Sequence, residues 1–233
     1  MEREEIISMA SAERVETLEN KRYGIVFLIN NLKGYKNDVE KISNLFMKMG
    51  YKIILSREIA SLQELEQKVL SIEKKPHTDM IVFFFGYGFE DFVYINREGN
   101  ECVSYRQFCN LFNIKQTNEE SMVVFTNCYF KRRTPETVKI PDSDIITENT
   151  FHLKIKVNGE CEEGSLLTEA LLEIFEQNKE LGFHHLATGI ASTIRMLQEK
   201  HDQKNIYITD IWYYGITKDF FFEKLSSLDT VAV

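Results

Sequence analysis

The chain has 233 residues, 43% hydrophobic and 12% aromatic with 17 phenylalanines, which is enough for one domain with a sizeable core and too apolar for a disordered chain. A formal charge of −8 and an isoelectric point near 5.3 speak against a nucleic-acid partner, which needs Lys and Arg clustered on one face. No stretch reaches the roughly 20 apolar residues of a membrane span and the charged N-terminus is unlike a secretory signal, so the reading is a soluble, cytoplasmic chain without a membrane partner.

Residues 1–21 are polar with a weak helical period and read as a short leader. Residues 23–30 (YGIVFLIN) form a continuous β-prone run, an inner strand. Asp38 then begins a helix whose apolar positions Val39, Ile42, Leu45, Phe46 and Met49 recur at helical spacing, and Gly50 ends it. After a strand at 51–55, Ser61 and Glu64 make a capping box for a helix over 62–75 with Leu62, Leu65, Val69 and Ile72 on its apolar face, and Pro76 stops it.

The run 80–85 (MIVFFF) reads as a buried strand opening into Gly86-Tyr87-Gly88, a flexible corner that carries Tyr87 at the sheet's rim. Residues 92–95 and the turn at 96–100 suggest a small hairpin off the main sheet, and 104–114 a helix. The stretch 121–130 (SMVVFTNCYF) repeats the buried-strand pattern and ends in polar residues and Cys128. Ligands of open α/β sheets gather beyond the carboxyl ends of the strands, so Cys128 stands where a nucleophile would be displayed. If the two strands are neighbours, Tyr87 and Cys128 face one cleft.

From 131 to 149 the apolar period dissolves and the segment reads as a linker, with Lys131-Arg132-Arg133 as an exposed basic loop. Residues 151–157 alternate Phe151, Leu153, Ile155 and Val157 against His152, Lys154 and Lys156, the period of a strand with one wet face. Helices follow from Ser165 and over 182–200, then a strand at 206–214 and an apolar segment at 220–222. The sum is a three-layer α/β fold with a central, mostly parallel six-stranded sheet and helices on both faces. Cys102, Cys109, Cys128 and Cys161 show no CxxC pairing, so neither a zinc site nor a disulfide framework is indicated, and no cofactor is implied.

A rim cysteine, a corner one strand away, a polar loop after the cysteine and a smaller αβ half together resemble a caspase catalytic domain. The strand, glycine turn, Asp-led helix and "GY" of 24–54, and the closing ITKDFFF of 216–222, are similar to that family's wording. The resemblance divides the chain into a leader at 1–21, a large-subunit-like part at 22–130, an intersubunit-like linker at 131–149, a small-subunit-like part at 150–224 and a tail at 225–233, one domain in all. It also implies kinship to the effector type, as an insect apoptotic paralogue.

The chemistry departs from the pattern. Where the family has Ser-His-Gly this chain has Gly86-Tyr87-Gly88, and where it has Gln-Ala-Cys-Arg-Gly this chain has Thr126-Asn127-Cys128-Tyr129-Phe130. A neutral tyrosine is poorly matched to taking a thiol's proton, and losing a positioned base costs on the order of 10²–10⁴ in rate. The resemblance puts the arginines and glutamine of the aspartate pocket at Leu32, at Thr126 and near 157–163; none of these can neutralise a carboxylate, and Glu160, Glu162 and Glu163 would repel it. Phe130 at the glycine position would obstruct the oxyanion pocket.

Cys128 is then either an inert small core residue or a thiol activated by another base, and Tyr87 a packing residue rather than a base. The last strand, with Ile208, Ile211, Trp212 and Tyr213, is core surface or the edge through which caspases pair. Asp142 and Asp144 are an ordinary acidic loop or a site of cleavage by an active caspase. The favoured expectation is a catalytically inactive decoy that regulates an active caspase paralogue by heterodimerisation. The alternatives are a cysteine endopeptidase of altered specificity using Cys128, and a scaffold that pairs with itself.

Overall fold

The computed structural model describes residues 23–75, 78–99, 101–112, 120–130, 150–157, 164–178, 181–201, 207–214 and 220–222. The apolar runs become the middle of one sheet. Strands β1 (Tyr23–Asn30), β2 (Lys52–Arg57), β3 (Thr78–Phe89), β6 (Met122–Phe130), β7 (Thr150–Val157) and β9 (Tyr207–Tyr214) lie in the order β2-β1-β3-β6-β7-β9. Every pairing along this path is parallel except that of β9, which runs antiparallel to β7 at the edge. Continuous apolar stretches such as 80–85 suit strands covered on both faces, and all of their side chains are buried.

Alternation along the strands divides the core. One side of the sheet carries Val26, Leu28, Ile81, Phe83, Val123, Phe125, Phe151 and Leu153 against helices α1 (Lys36–Lys48), α4 (Leu166–Gln177) and α5 (Phe183–His201). The other carries Ile25, Phe27, Met80, Val82, Phe84, Met122 and Val124 against α2 (Leu62–Leu70) and α3 (Tyr105–Phe112). We call these the three-helix face and the two-helix face. The helices are where their apolar periods predict them, except that α2 ends at Leu70 and not at Lys75, and each buries the expected stripe, Val39, Ile42 and Phe46 on α1 and Leu65 and Val69 on α2. Ser61 caps α2 by accepting from the Glu64 N–H at 3.2 Å, while the Glu64 carboxylate accepts from the Ala60 N–H at 2.8 Å, one residue earlier than a strict capping box.

Two expectations change. Gly86-Tyr87-Gly88 is not a corner, because β3 continues through it to Phe89. The chain turns only at Glu90 (φ 47°) and Asp91, then returns as β4 (Phe92–Tyr94), which pairs with β3 and with β5 (Cys102–Ser104). Nor is the polar face of β7 wet along its length: Lys156 is partly exposed, but His152 and Lys154 are both 1% exposed, because α3 and the β3–β4 turn cover them. Leu181–Gly182 (β8) and Phe221–Phe222 (β10) form a separate antiparallel pair that closes the three-helix face.

Candidate functional site

Strand β6 delivers Cys128 near the carboxyl end of the sheet, on the two-helix face. Its cross-strand neighbour on β3 is Gly86, whereas Tyr87 stands opposite Tyr129. Successive side chains of a strand point to opposite sides, so Tyr87 packs with the three-helix core and Cys128 with the other. The expectation that Tyr87 and Cys128 face one cleft is therefore corrected: the strands are neighbours, but their register places the two side chains on opposite faces.

The glycines of the β3 motif have a use here. A Cβ at Gly86 would collide with the Phe84 ring. A Cβ at Gly88 would lie 2.9 Å from the Phe92 carbonyl, 3.0 Å from the Tyr105 hydroxyl and 3.1 Å from Cys128 Cβ. The space beside Cys128 that a side chain on β3 would occupy is filled by these groups, and Cys128 is only 2% exposed. Burial pushes its thiol up to about 12; the Tyr105 hydroxyl, which hydrogen-bonds to it, and the charges of Lys154 and Lys156 pull the other way and are outweighed. At neutral pH the thiol is protonated, in contrast to the few per cent of thiolate in a free cysteine.

The polar side chains of β7 complete this face. His152 Nε2 lies 2.9 Å from Thr126 Oγ1 on the neighbouring strand, its ring rests against Tyr105 with centroids 5.4 Å apart, and Nδ1 has no hydrogen-bond partner among the described residues. Burial, reinforced by Lys154, depresses the imidazole to about 3, so it is neutral at physiological pH. Lys154 Nζ donates to the Glu90 carbonyl at 2.9 Å, reaches Asp91 Oδ1 at 3.3 Å and sits 3.9 Å above the centre of the Tyr105 ring. Lys156, beside Cys128 in register, faces Asp210 of β9 at 3.7 Å. The hydrogen-bond partner found for the thiol is thus a tyrosine hydroxyl and not an imidazole. His184 and His185 are exposed on α5, and His77 and the His201 side chain lie outside the described residues.

The pocket positions are not brought together. Leu32 is buried on the three-helix face after β1, while Thr126 points into the two-helix face toward His152. Val157 is core, and 158–163 lie outside the described residues, as do Asp142 and Asp144 and the basic loop at 131–133. Phe130 is 38% exposed at the rim, where its ring meets Phe89 at 5.3 Å. On β9 the backbone of Ile208, Trp212 and Tyr213 is placed at the sheet's edge with their side chains outside the description, and Ile211 packs partly buried against the three-helix core.

On the three-helix face the same strand end carries a second polar group. Asn127 Nδ2 donates to Ser165 Oγ at 3.0 Å; Ser165 caps α4 and donates its N–H to Asp38 Oδ1 at 2.8 Å; and the Tyr35 and Tyr129 hydroxyls bond each other. Desolvation holds the Asp38 carboxyl above the usual carboxylate range. This cluster ties the starts of α1 and α4 to β6. Among the described residues no group of three His, Cys, Asp or Glu comes together to hold a metal.

Sequence reasoning missed Tyr105, His152 and Lys154. The available signal was the charged half of β7, and it was read as solvent-facing because alternation alone does not say what covers a face.

A family model of the caspase domain matches residues 18–220. A search of curated proteins finds no match. The match spans every strand of the main sheet and ends just before β10, and the three-layer α/β architecture with a mostly parallel sheet is the one the resemblance implies. The chain belongs to the caspase-domain family.

Proposed function

We propose that this caspase-domain protein is a catalytically silent member that regulates an active caspase by pairing with it along β9, acting in apoptosis in the cytoplasm. The observation that carries the reading is at Cys128. The family's nucleophile position holds a thiol that is 2% exposed, raised to about 12 and hydrogen-bonded to Tyr105, while the residue at the family's histidine position, Tyr87, lies across the sheet. A nucleophilic cysteine needs the reverse, a partly exposed thiol with its pKa lowered by a neighbouring cation or imidazolium. The separation of Leu32 and Thr126 across the sheet supports the loss of an aspartate pocket. Among the described residues strand β9 is paired on one side only, and an open strand edge offers backbone groups to a second chain.

The test is to mix the purified chain with active caspases and read complex formation and peptide hydrolysis together. Co-elution with a changed rate is expected; the absence of both would overturn the proposal. Mass measured across a range of concentrations separates this from self-pairing, since a stable homodimer would occupy the same edge.

A further inference from the structure

Several contacts made for different purposes converge on the Tyr105 side chain. Its hydroxyl bonds the Cys128 thiol and fills the space beside Gly88. The Tyr105 backbone N–H donates to the Asp91 carbonyl at 3.0 Å, so the first residue of α3 is tied to the β3–β4 turn. Its ring lies under the Lys154 ammonium at 3.9 Å. Lys154 in turn holds the same turn through the Glu90 carbonyl and the Asp91 carboxylate. One buried cation therefore fastens both the ring that touches the thiol and the turn that positions that ring.

The fastening is uneven. The Lys154 side chain is 1% exposed and that of Asp91 79% exposed, so the cation is dry while its counter-ion is screened by water. Among the described residues, a Lys154 ammonium that loses the Asp91 carboxylate keeps the Glu90 carbonyl and the Tyr105 ring face, and the favoured response is local opening that lets it reach water. The segment that would open is the turn at Glu90 and Asp91, where the backbone of Glu90 adopts a positive φ of 47°.

We propose that Lys154, the Glu90–Asp91 turn and Tyr105 form a latch over Cys128, and that releasing it exposes this thiol to soft electrophiles without unfolding the domain. The inference concerns the thiol alone and holds with or without a pairing partner.

The experiment follows iodoacetamide labelling of Cys128 in the native full chain by peptide mass spectrometry, with hydrogen exchange of β1 as the measure of global opening. Relative to the unmodified chain, Lys154→Met should label about tenfold faster and Asp91→Asn about threefold faster, while β1 exchange stays unchanged. Asp91→Asn alters an exposed side chain and keeps the test open if Lys154→Met fails to fold. Unchanged labelling in Asp91→Asn would overturn the latch. So would acceleration matched by faster β1 exchange, or labelling of the unmodified chain as fast as that of an unstructured cysteine peptide.

Discussion

On one side of β6, Val123, Phe125 and Tyr129 meet the rings and aliphatic chains of α1, α4 and α5; on the other, Thr126 and Cys128 meet His152, Tyr105 and Lys154. The first side is largely a hydrocarbon core, in which Phe125 stacks on Phe83 at 4.6 Å and Phe151 meets Phe183 at 4.8 Å, with the neutral Asn127–Ser165 pair and Asp38 at its rim. Toward the amino end the second side is apolar too, where Met122 and Val124 share a cluster with Phe108 and Phe112, but near the rim it becomes polar. The two sides bury about as completely and differ in what burial does. Apolar groups gain by leaving water, whereas a histidine, a lysine and a thiol lose hydration that only specific partners restore. The polar end lies near the carboxyl end of the sheet, and there its groups cover one another.

Four substitutions or conditions probe this contrast. Phe125→Ala, on the apolar side, removes a fully buried ring and should cost about 3–5 kcal/mol in urea unfolding. Thr126→Val, the next residue on the opposite side, preserves volume but leaves His152 Nε2 without its 2.9 Å partner, and a loss of about 1–3 kcal/mol is expected; a neutral result would mean that the hydrogen bond does not hold the imidazole.

His152 should also make stability depend on pH. Its folded pKa is near 3 against an ordinary 6.5, so between these values the unfolded chain binds the extra proton and acid favours unfolding. Stability should fall below pH 6.5 by up to about 1.4 kcal/mol per pH unit, and His152→Gln should remove that part of the slope. An identical pH profile for the two proteins would show that the ring is hydrated.

The smallest expected effect is the most pointed. Tyr87→His supplies the imidazole that the resemblance leads one to expect at this position, yet position 87 faces the three-helix core, so neither peptide hydrolysis nor Cys128 labelling should change. A gain in either would mean that the end of β3 turns over and that the two faces exchange at the rim.

Much of the scaffold was legible in residue order because helical and strand periods are local. The spacing of Val39, Ile42 and Phe46, the Ser61 and Glu64 pair, and the apolar runs at 23–30, 80–85 and 122–125 each carry their element with them. Cys128 at the end of a buried strand was legible for the same reason. The polar half of β7 was misread because Lys154 looks the same in sequence whether it faces water or a tyrosine ring.

What the chain alone determined, then, is which segments become strands and helices and which residue types stand at the ends of β3 and β6. Tertiary structure decided which side each of them faces. The pairing of Gly86 with Cys128 is a relation between two strands far apart in sequence, and shifting it by one residue would exchange the faces of Tyr87 and every other β3 side chain relative to β6. The covering of the thiol by Tyr105 and Lys154 likewise depends on a turn, a helix and a strand that meet only when the sheet closes.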